Sequence, residues 1–93
     1  MKIEVDKSYI NASGDVVYIG TFYKGHTYPF EDTQDENTYT SDGKFEEHLV
    51  GVYDLICEVV PTLLEQYSCG YISQREFIEK HIKHWTENEQ PDL

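Results

Sequence analysis

Turn-forming residues divide the chain before about residue 60 into short runs of β-branched and aromatic residues. Clusters of Gly, Asp, Asn and Ser separate these runs, and such punctuation is typical of an antiparallel sheet. The runs cover residues 9–11, 16–23, 26–30, 38–40 and 52–60, and the segment 31–37 is predicted to be a polar loop. About five short strands joined by turns predict a small curved antiparallel sheet, closed in part like a barrel.

The last of these runs has two interpretations. Residues 49–60 are apolar enough to form either a buried strand or a buried helix, and periodicity alone does not separate the two. Gly51 and the β-branched residues that follow it favour a strand over 52–60.

The pattern changes to helical spacing after Pro61. Proline suits the first turn of a helix because its missing N–H has no partner there, and Cys69-Gly70 is predicted to end this helix. Ser73 and Glu76 form a capping box that predicts a second helix over 74–87. Its apolar face is expected to carry Phe77, Ile78, His81, Ile82 and Trp85, with His84 in solvent.

These patterns together predict an α+β fold in a single domain. An antiparallel β region is predicted over 1–60, a helical hairpin packed on it over 61–87, and a frayed tail over 88–93. Thirteen aromatic residues (eight Tyr, four Phe and one Trp) supply apolar area that disordered acidic chains lack, so an ordered core is expected.

Acidic residues dominate the charge of the chain. Eighteen Asp and Glu residues stand against seven Lys and Arg, and seven of the eighteen lie between Glu31 and Glu47, where Lys44 is the single base. Charge of this sign repels the phosphates of nucleic acids and membranes and attracts basic protein surfaces. The sequence therefore predicts a basic protein partner, no direct nucleic-acid binding and no membrane binding.

The candidate partner-binding residues come from this acidic stretch. Its carboxylates fall on predicted loops, where we expect them to stay in solvent and outside the core. Tyr39 lies among them and is expected to add desolvated contact area. The predicted set is Glu31, Asp32, Asp35, Glu36, Tyr39, Asp42, Glu46 and Glu47.

Motifs for catalysis or metal binding are absent from the sequence. The register of a calcium-binding loop places Tyr67 and Cys69 where the ion needs oxygen ligands, and the His and Cys residues lack the paired spacings of zinc sites. No glycine-rich phosphate cradle or nucleophile elbow occurs. We expect no catalytic residue, cofactor or metal, and we expect Cys57 to be a buried structural thiol.

The expected location is the cytoplasm. The N-terminal residues show no basic region followed by an apolar run, and no eighteen apolar residues follow one another. Two cysteines in a reducing compartment are expected to be free thiols.

The C-terminal region contains Leu63-Leu64, Gly70-Tyr71-Ile72-Ser73 and Glu76-Phe77. In this spacing the residues resemble the SHOCT type of short helical hairpin. The resemblance implies a short segment for interaction or oligomerisation.

A second pattern covers the N-terminal region and consists of Lys7, Tyr9, Asn11, Gly14-Asp15-Val16-Val17, Ile19, Thr38-Tyr39, Asp42-Gly43 and Tyr53-Asp54-Leu55-Ile56. This pattern is similar to that of the small β-rich proteins of tailed phages. The similarity implies a first strand and turn, a long second strand and a closing Asp-Leu strand.

This resemblance and the acidity lead to two functional hypotheses. The first is an anti-defence protein of the anti-CRISPR or DNA-mimic type, which inhibits a host nucleic-acid-handling or defence complex in the host cytoplasm. The second is an adaptor or regulatory protein that self-associates through its C-terminal helices. Neither is an enzyme.

Overall fold

The computed structural model describes residues 2–45 and 54–87. It confirms the α+β class, because a curved antiparallel sheet of five strands precedes two helices in this part of the chain. The strands are β1 (Ser8–Asn11), β2 (Val16–Phe22), β3 (Phe30–Asp32), β4 (Thr38–Tyr39) and β5 (Leu55–Glu58), and the helices are α1 (Pro61–Ser68) and α2 (Gln74–Glu87). The predicted tail over 88–93 lies outside the described residues.

The sheet has the order β4-β3-β2-β1-β5, with antiparallel pairing between all neighbours. The segment 43–45 contacts both edge strands of the sheet, β4 and β5. Phe45 forms a bridge with Tyr39 of β4, and Leu55 of β5 donates its backbone N–H to the Gly43 carbonyl at 2.8 Å. The sheet therefore curls into a half-barrel, as the short strands predicted.

Two β-bulges produce the curvature, because a bulge bends a strand and increases its twist. One interrupts the pairing at Ile10 and Asn11, and the other lies between Ile19 and Thr21. Gly20 occupies the second bulge, where an added Cβ would lie 2.5 Å from the side chain of Thr33. A larger residue at this position would require the exposed side chain of Thr33 to move.

The third strand differs from its prediction. Residues 26–30 were expected to be a strand, but β3 begins at Phe30 and continues through Glu31 and Asp32 into the predicted loop. Pro29 explains part of the shift, because proline has no N–H to donate to a neighbouring strand. The pairing of Phe30 with Phe22, and of Glu31 with Thr21, then fixes the register.

Of the two interpretations of the last run, strand or helix, the described residues show the strand. Leu55–Glu58 is a strand and pairs with β1. Residues 49–53, which include the start of the predicted strand, lie outside the described part of the chain.

The core has two parts, one on each side of β1. The side chain of Tyr9 belongs to the cluster inside the half-barrel, and that of Ile10 belongs to the cluster under the helices. Successive side chains of a strand point to opposite faces, so both faces of β1 are covered. This double burial holds the helical hairpin against the sheet.

Local signals set the ends of both helices. Pro61 lies in the first turn of α1. At its other end, Tyr71 N–H donates to the Gln66 carbonyl at 2.9 Å and Gly70 N–H to Tyr67 at 3.1 Å, with Gly70 at φ +80. These two bonds form a Schellman motif, which favours glycine at this position.

The capping box at the start of α2 is confirmed. Glu76 N–H donates to Ser73 Oγ at 3.2 Å, and Ser73 N–H donates to Glu76 Oε1 at 3.3 Å. The pair satisfies two backbone donors that have no partner within the helix.

Helix α2 packs through Phe77, His81 and Trp85. The Phe77 ring stacks on Tyr67 at 4.6 Å and meets His81 edge-on at 4.5 Å, and Trp85 Nε1–H donates to the Glu58 carbonyl at 3.0 Å. The prediction for Ile82 was wrong, because this side chain is 53% exposed.

His84 also differs from its prediction. Its side chain is half-buried, with its ring centroid 4.7 Å from that of Trp85, instead of lying fully in solvent.

His81 joins α2 to the start of α1 through one hydrogen bond and forms a second within α2. Its Nε2 accepts the backbone N–H of Val60 at 3.0 Å, so Nδ1 carries the proton and donates to the Phe77 carbonyl at 2.8 Å. Burial lowers the pKa of His81 below its ordinary value of 6.5, and nearby His84 lowers it further, while the bond to Phe77 opposes both. A neutral imidazole is thus part of the fold.

Acidification is expected to destabilise the protein through His81. Because its pKa is lower in the folded state than in the unfolded state, its contribution to stability is present above about pH 6.5 and is lost as the pH falls below that value. Urea unfolding at about pH 7.5 and about pH 5.5 tests this expectation. His81→Gln should reduce the pH dependence and His84→Gln should retain it. Equal stability of the unmodified protein at both pH values would contradict the role of His81.

Candidate partner-binding surface

The structure divides the eight predicted partner-binding residues into three groups. Asp35, Glu36 and Asp42 are exposed, and Glu31 is half-buried. Asp32 and Tyr39 lie in the interior. Glu46 and Glu47 lie outside the described residues.

The expectation that Asp32 stays in solvent was wrong, since its side chain is only 3% exposed. Asp32 pairs with Ile19 in the sheet, and the alternation of β3 directs Phe30 and Asp32 inward and Glu31 outward. Tyr39 was expected to contact a partner, but it is 1% exposed and belongs to the half-barrel core. Neither residue is accessible to a partner.

Asp32 instead fixes the loop that carries the exposed carboxylates. Its Oδ2 accepts the Tyr39 hydroxyl at 2.9 Å, and its Oδ1 accepts the backbone N–H of Asp35 at 2.8 Å. Burial and the bond to Asp32 raise the pKa of Tyr39 well above its ordinary value, so the hydroxyl remains a donor. The loop also contains Glu36 in the left-handed region, at φ +57.

A second turn lies opposite this loop. The buried side chain of Asn11 accepts the backbone N–H groups of Ser13 and Asp15, each at 3.0 Å. Asp15 and Asp35 line one cleft of about 140 Å³, with Asp32 and Tyr39 also in its wall. This volume is below the range of roughly 300–1,000 Å³ that is typical of small-molecule sites.

The juxtaposition of Asp15 and Asp35 was not predicted. The two residues are brought together only when β1, β2 and β3 pair. Gly14-Asp15 predicted a turn, but the sequence did not indicate that this turn would face the loop that carries Asp35.

Asp42 lies on a separate turn after β4. Its carboxylate accepts a hydrogen bond from the Thr40 hydroxyl, which lowers the pKa of Asp42, and the side chain stays exposed. Within residues 2–45 and 54–87, Asp35, Glu36 and Asp42 form no ion pair. Their charges are therefore available to a partner.

Two tyrosines are exposed on the outer side of the sheet, one within β2 and one directly after it. Tyr18 is 37% exposed and donates its hydroxyl to Asp6 at 3.0 Å, and Tyr23 is 42% exposed and donates to Glu31 at 3.1 Å. Each bond raises the pKa of its tyrosine. The sequence predicted Tyr18 to be on a strand and gave no sign that Tyr18 and Tyr23 would be accessible.

The described residues contain no group of three or more His, Cys, Asp and Glu side chains placed to hold a metal. Cys57 is buried, as expected, and burial raises the pKa of its thiol to about 12, while Cys69 is exposed. A thiol with a raised pKa is a poor nucleophile at neutral pH. Neither described helix is long and apolar enough to cross a membrane.

Comparison of the chain with protein-family models, with curated proteins and with solved structures gives no significant match.

Proposed function

We propose that the protein acts by binding rather than by catalysis, as a phage-type inhibitor of a host nucleic-acid-handling or defence complex. The observation that carries this proposal is the exposure of Asp35, Glu36 and Asp42, without ion-pair partners among the described residues, on turns of the half-barrel. The partner is a basic protein or nucleoprotein surface in the host cytoplasm.

The physical basis is competition for positive charge. Carboxylates on a folded scaffold can occupy Lys and Arg side chains that otherwise bind phosphate, and the bound protein then excludes nucleic acid. The hydrogen bonds that Asp32 accepts from the Tyr39 hydroxyl and the Asp35 backbone restrain the β3–β4 loop. A restrained loop loses less conformational entropy when it binds.

A second candidate function is the self-associating adaptor. It is favoured by the exposed apolar side chains of Tyr71 and Ile82 on the helical hairpin. A cleft of about 310 Å³ beside α1 and α2, lined in part by Lys80, Lys83 and Glu87, offers two ammonium groups to which acidic residues of another copy can bind.

A charge-neutralised variant tests the inhibitor. The triple variant Asp35→Asn, Glu36→Gln and Asp42→Asn should keep its melting temperature, since all three side chains are exposed. In parallel affinity capture from a bacterial lysate, the unmodified protein should retain a basic nucleic-acid-binding protein at low salt and release it at high salt. The triple variant should retain much less, and adding the unmodified protein should displace nucleic acid from the captured partner.

The matched control neutralises three exposed carboxylates of the helices, by Glu65→Gln, Glu79→Gln and Glu87→Gln. It changes the net charge equally and should leave capture unchanged. Equal capture by the unmodified protein and the triple variant would rule out the acidic turns as the binding surface. Self-association in sedimentation, with no basic partner captured, would support the adaptor.

A further inference from the structure

The exposed tyrosines and their carboxylate partners form one surface, which we call the tyrosine–carboxylate face and define as Tyr18, Tyr23, Asp6 and Glu31. Ile19 and Asp32 are paired and both side chains point inward. Thr21 and Glu31 form the next pair, and their side chains point outward. Tyr18 lies toward one end of the outer side of β2, and Tyr23 follows its other end.

Each half of this face combines an aromatic ring with a carboxylate. The hydroxyl of Tyr18 donates to Asp6 at 3.0 Å and that of Tyr23 to Glu31 at 3.1 Å. Among the described residues, neither carboxylate receives another side-chain hydrogen bond or forms an ion pair. Each half therefore offers a ring of restrained orientation beside free acceptor positions on a negative group.

No base among the described residues forms an ion pair with these two carboxylates. Lys7 follows Asp6 in the chain, but its ammonium group pairs with Glu4 at 2.9 Å and lies 3.5 Å from Glu58. Lys24 is exposed beside Tyr23 and is the nearest base in sequence to that half. Glu36 adds negative charge near Tyr23.

We propose that the tyrosine–carboxylate face binds arginine side chains of the basic partner, an inference that rests on the proposed function and specifies its chemistry. A guanidinium group is planar, so it can stack on a tyrosine ring while its N–H groups donate to the adjacent carboxylate. An ammonium group is a compact, strongly hydrated charge and does not combine these contacts as well. The same carboxylates repel the phosphates of nucleic acid. A tyrosine surface surrounded by basic residues would attract those phosphates instead.

Two charge-matched peptides, nona-arginine and nona-lysine, are the probes for this inference. Both should bind the unmodified protein with an affinity that falls as salt rises, and nona-arginine should bind more tightly. The double variant Tyr18→Leu, Tyr23→Leu should weaken nona-arginine binding about 5–30-fold, as expected for the loss of two exposed cation–π contacts. Its affinity for nona-lysine should change much less.

Two controls separate ring stacking from other effects of the substitutions. The variant Tyr18→Phe, Tyr23→Phe keeps both rings and should retain the preference for arginine, so that a loss in the leucine variant is assigned to the rings and not to the hydroxyl groups. Tyr71→Leu removes an exposed tyrosine of the helical hairpin and should leave both affinities unchanged.

The outcomes distinguish this inference from the proposed function. Equal affinity for both peptides, or an arginine preference that survives in the Tyr18→Leu, Tyr23→Leu variant, would overturn the arginine inference while salt-sensitive binding still supported the acidic surface. The same conclusion would follow if only the Asp35, Glu36 and Asp42 triple variant lost binding. Absence of salt-sensitive binding to either peptide would count against both.

Discussion

Replacing Phe77 by alanine is expected to lower the free energy of unfolding by about 3–5 kcal/mol, the usual cost of truncating a buried aromatic side chain. Phe77 is completely buried between Tyr67 and His81, and it belongs to the cluster that also contains Ile10 of β1 and Cys57 of β5. A small domain has a total stability of roughly 5–15 kcal/mol. Urea unfolding should therefore show a large fall in the midpoint or an unfolded variant.

Ile82→Ala is the matched control for this substitution. Ile82 lies on the same helix but is half-exposed, so its truncation should change stability by only about 0.5 kcal/mol. Comparable losses for both variants would mean that α2 is not anchored through Phe77. A small effect of Phe77→Ala would contradict the packing of the hairpin on the sheet.

Replacing Asp32 by alanine is expected to cost about 2–4 kcal/mol. Two hydrogen bonds to a charged acceptor contribute about 1.5–3 kcal/mol each, and part of this loss is offset because the variant no longer buries a carboxylate. Asp32 accepts the Tyr39 hydroxyl and the Asp35 backbone N–H, and both donors lose this acceptor in the variant. The Tyr39 hydroxyl is buried with the residue, so water does not easily replace the carboxylate. Chemical denaturation measures the loss directly.

Asp35→Ala provides the control, since it removes the neighbouring exposed carboxylate and keeps the backbone N–H that Asp32 accepts. Its stability should stay within about 0.5 kcal/mol of the unmodified protein. If Asp32→Ala were equally mild, Asp32 would be a surface carboxylate and the correction to the predicted binding set would fail.

The helical part of the fold was predictable because its signals are local. Pro61, Gly70 and the Ser73–Glu76 capping box act within a few residues of where they stand, and the structure contains each at the expected helix end. The exposure of Ile82 was harder to predict from the sequence. Which side chains of α2 face the sheet depends on how the helix docks, and docking is decided by residues elsewhere in the chain.

The candidate site was predicted less well because its geometry depends on pairing between distant residues. Glu31 and Asp32 have the composition of a loop, but pairing with Thr21 and Ile19 makes them a strand. The alternation of β3 then buries Asp32, and the Tyr39 hydroxyl supplies the donor that makes this burial tolerable.

Residue type alone also does not distinguish the tyrosines from one another. Tyr39 and Tyr18 have the same side chain, and only the curl of the sheet places the first in the core and the second on the outer side. Asp35, Glu36 and Asp42 are exposed and Glu31 is half-buried, so the acidic contact surface stays a prediction for these four residues. We propose Tyr18 and Tyr23 in place of Tyr39 as the aromatic contacts.

The association rate constant with the captured basic partner tests the central claim most directly. It should be measured at low and high salt for the unmodified protein and for the Asp35→Asn, Glu36→Gln, Asp42→Asn variant. Electrostatic steering raises association rates by roughly 10–10³-fold and fades as salt screens the charges. We expect fast association of the unmodified protein at low salt, a steep fall at high salt, and slower, nearly salt-independent association of the variant. Equal association rates for the two proteins at both salt concentrations would contradict the claim that the exposed carboxylates form the binding surface.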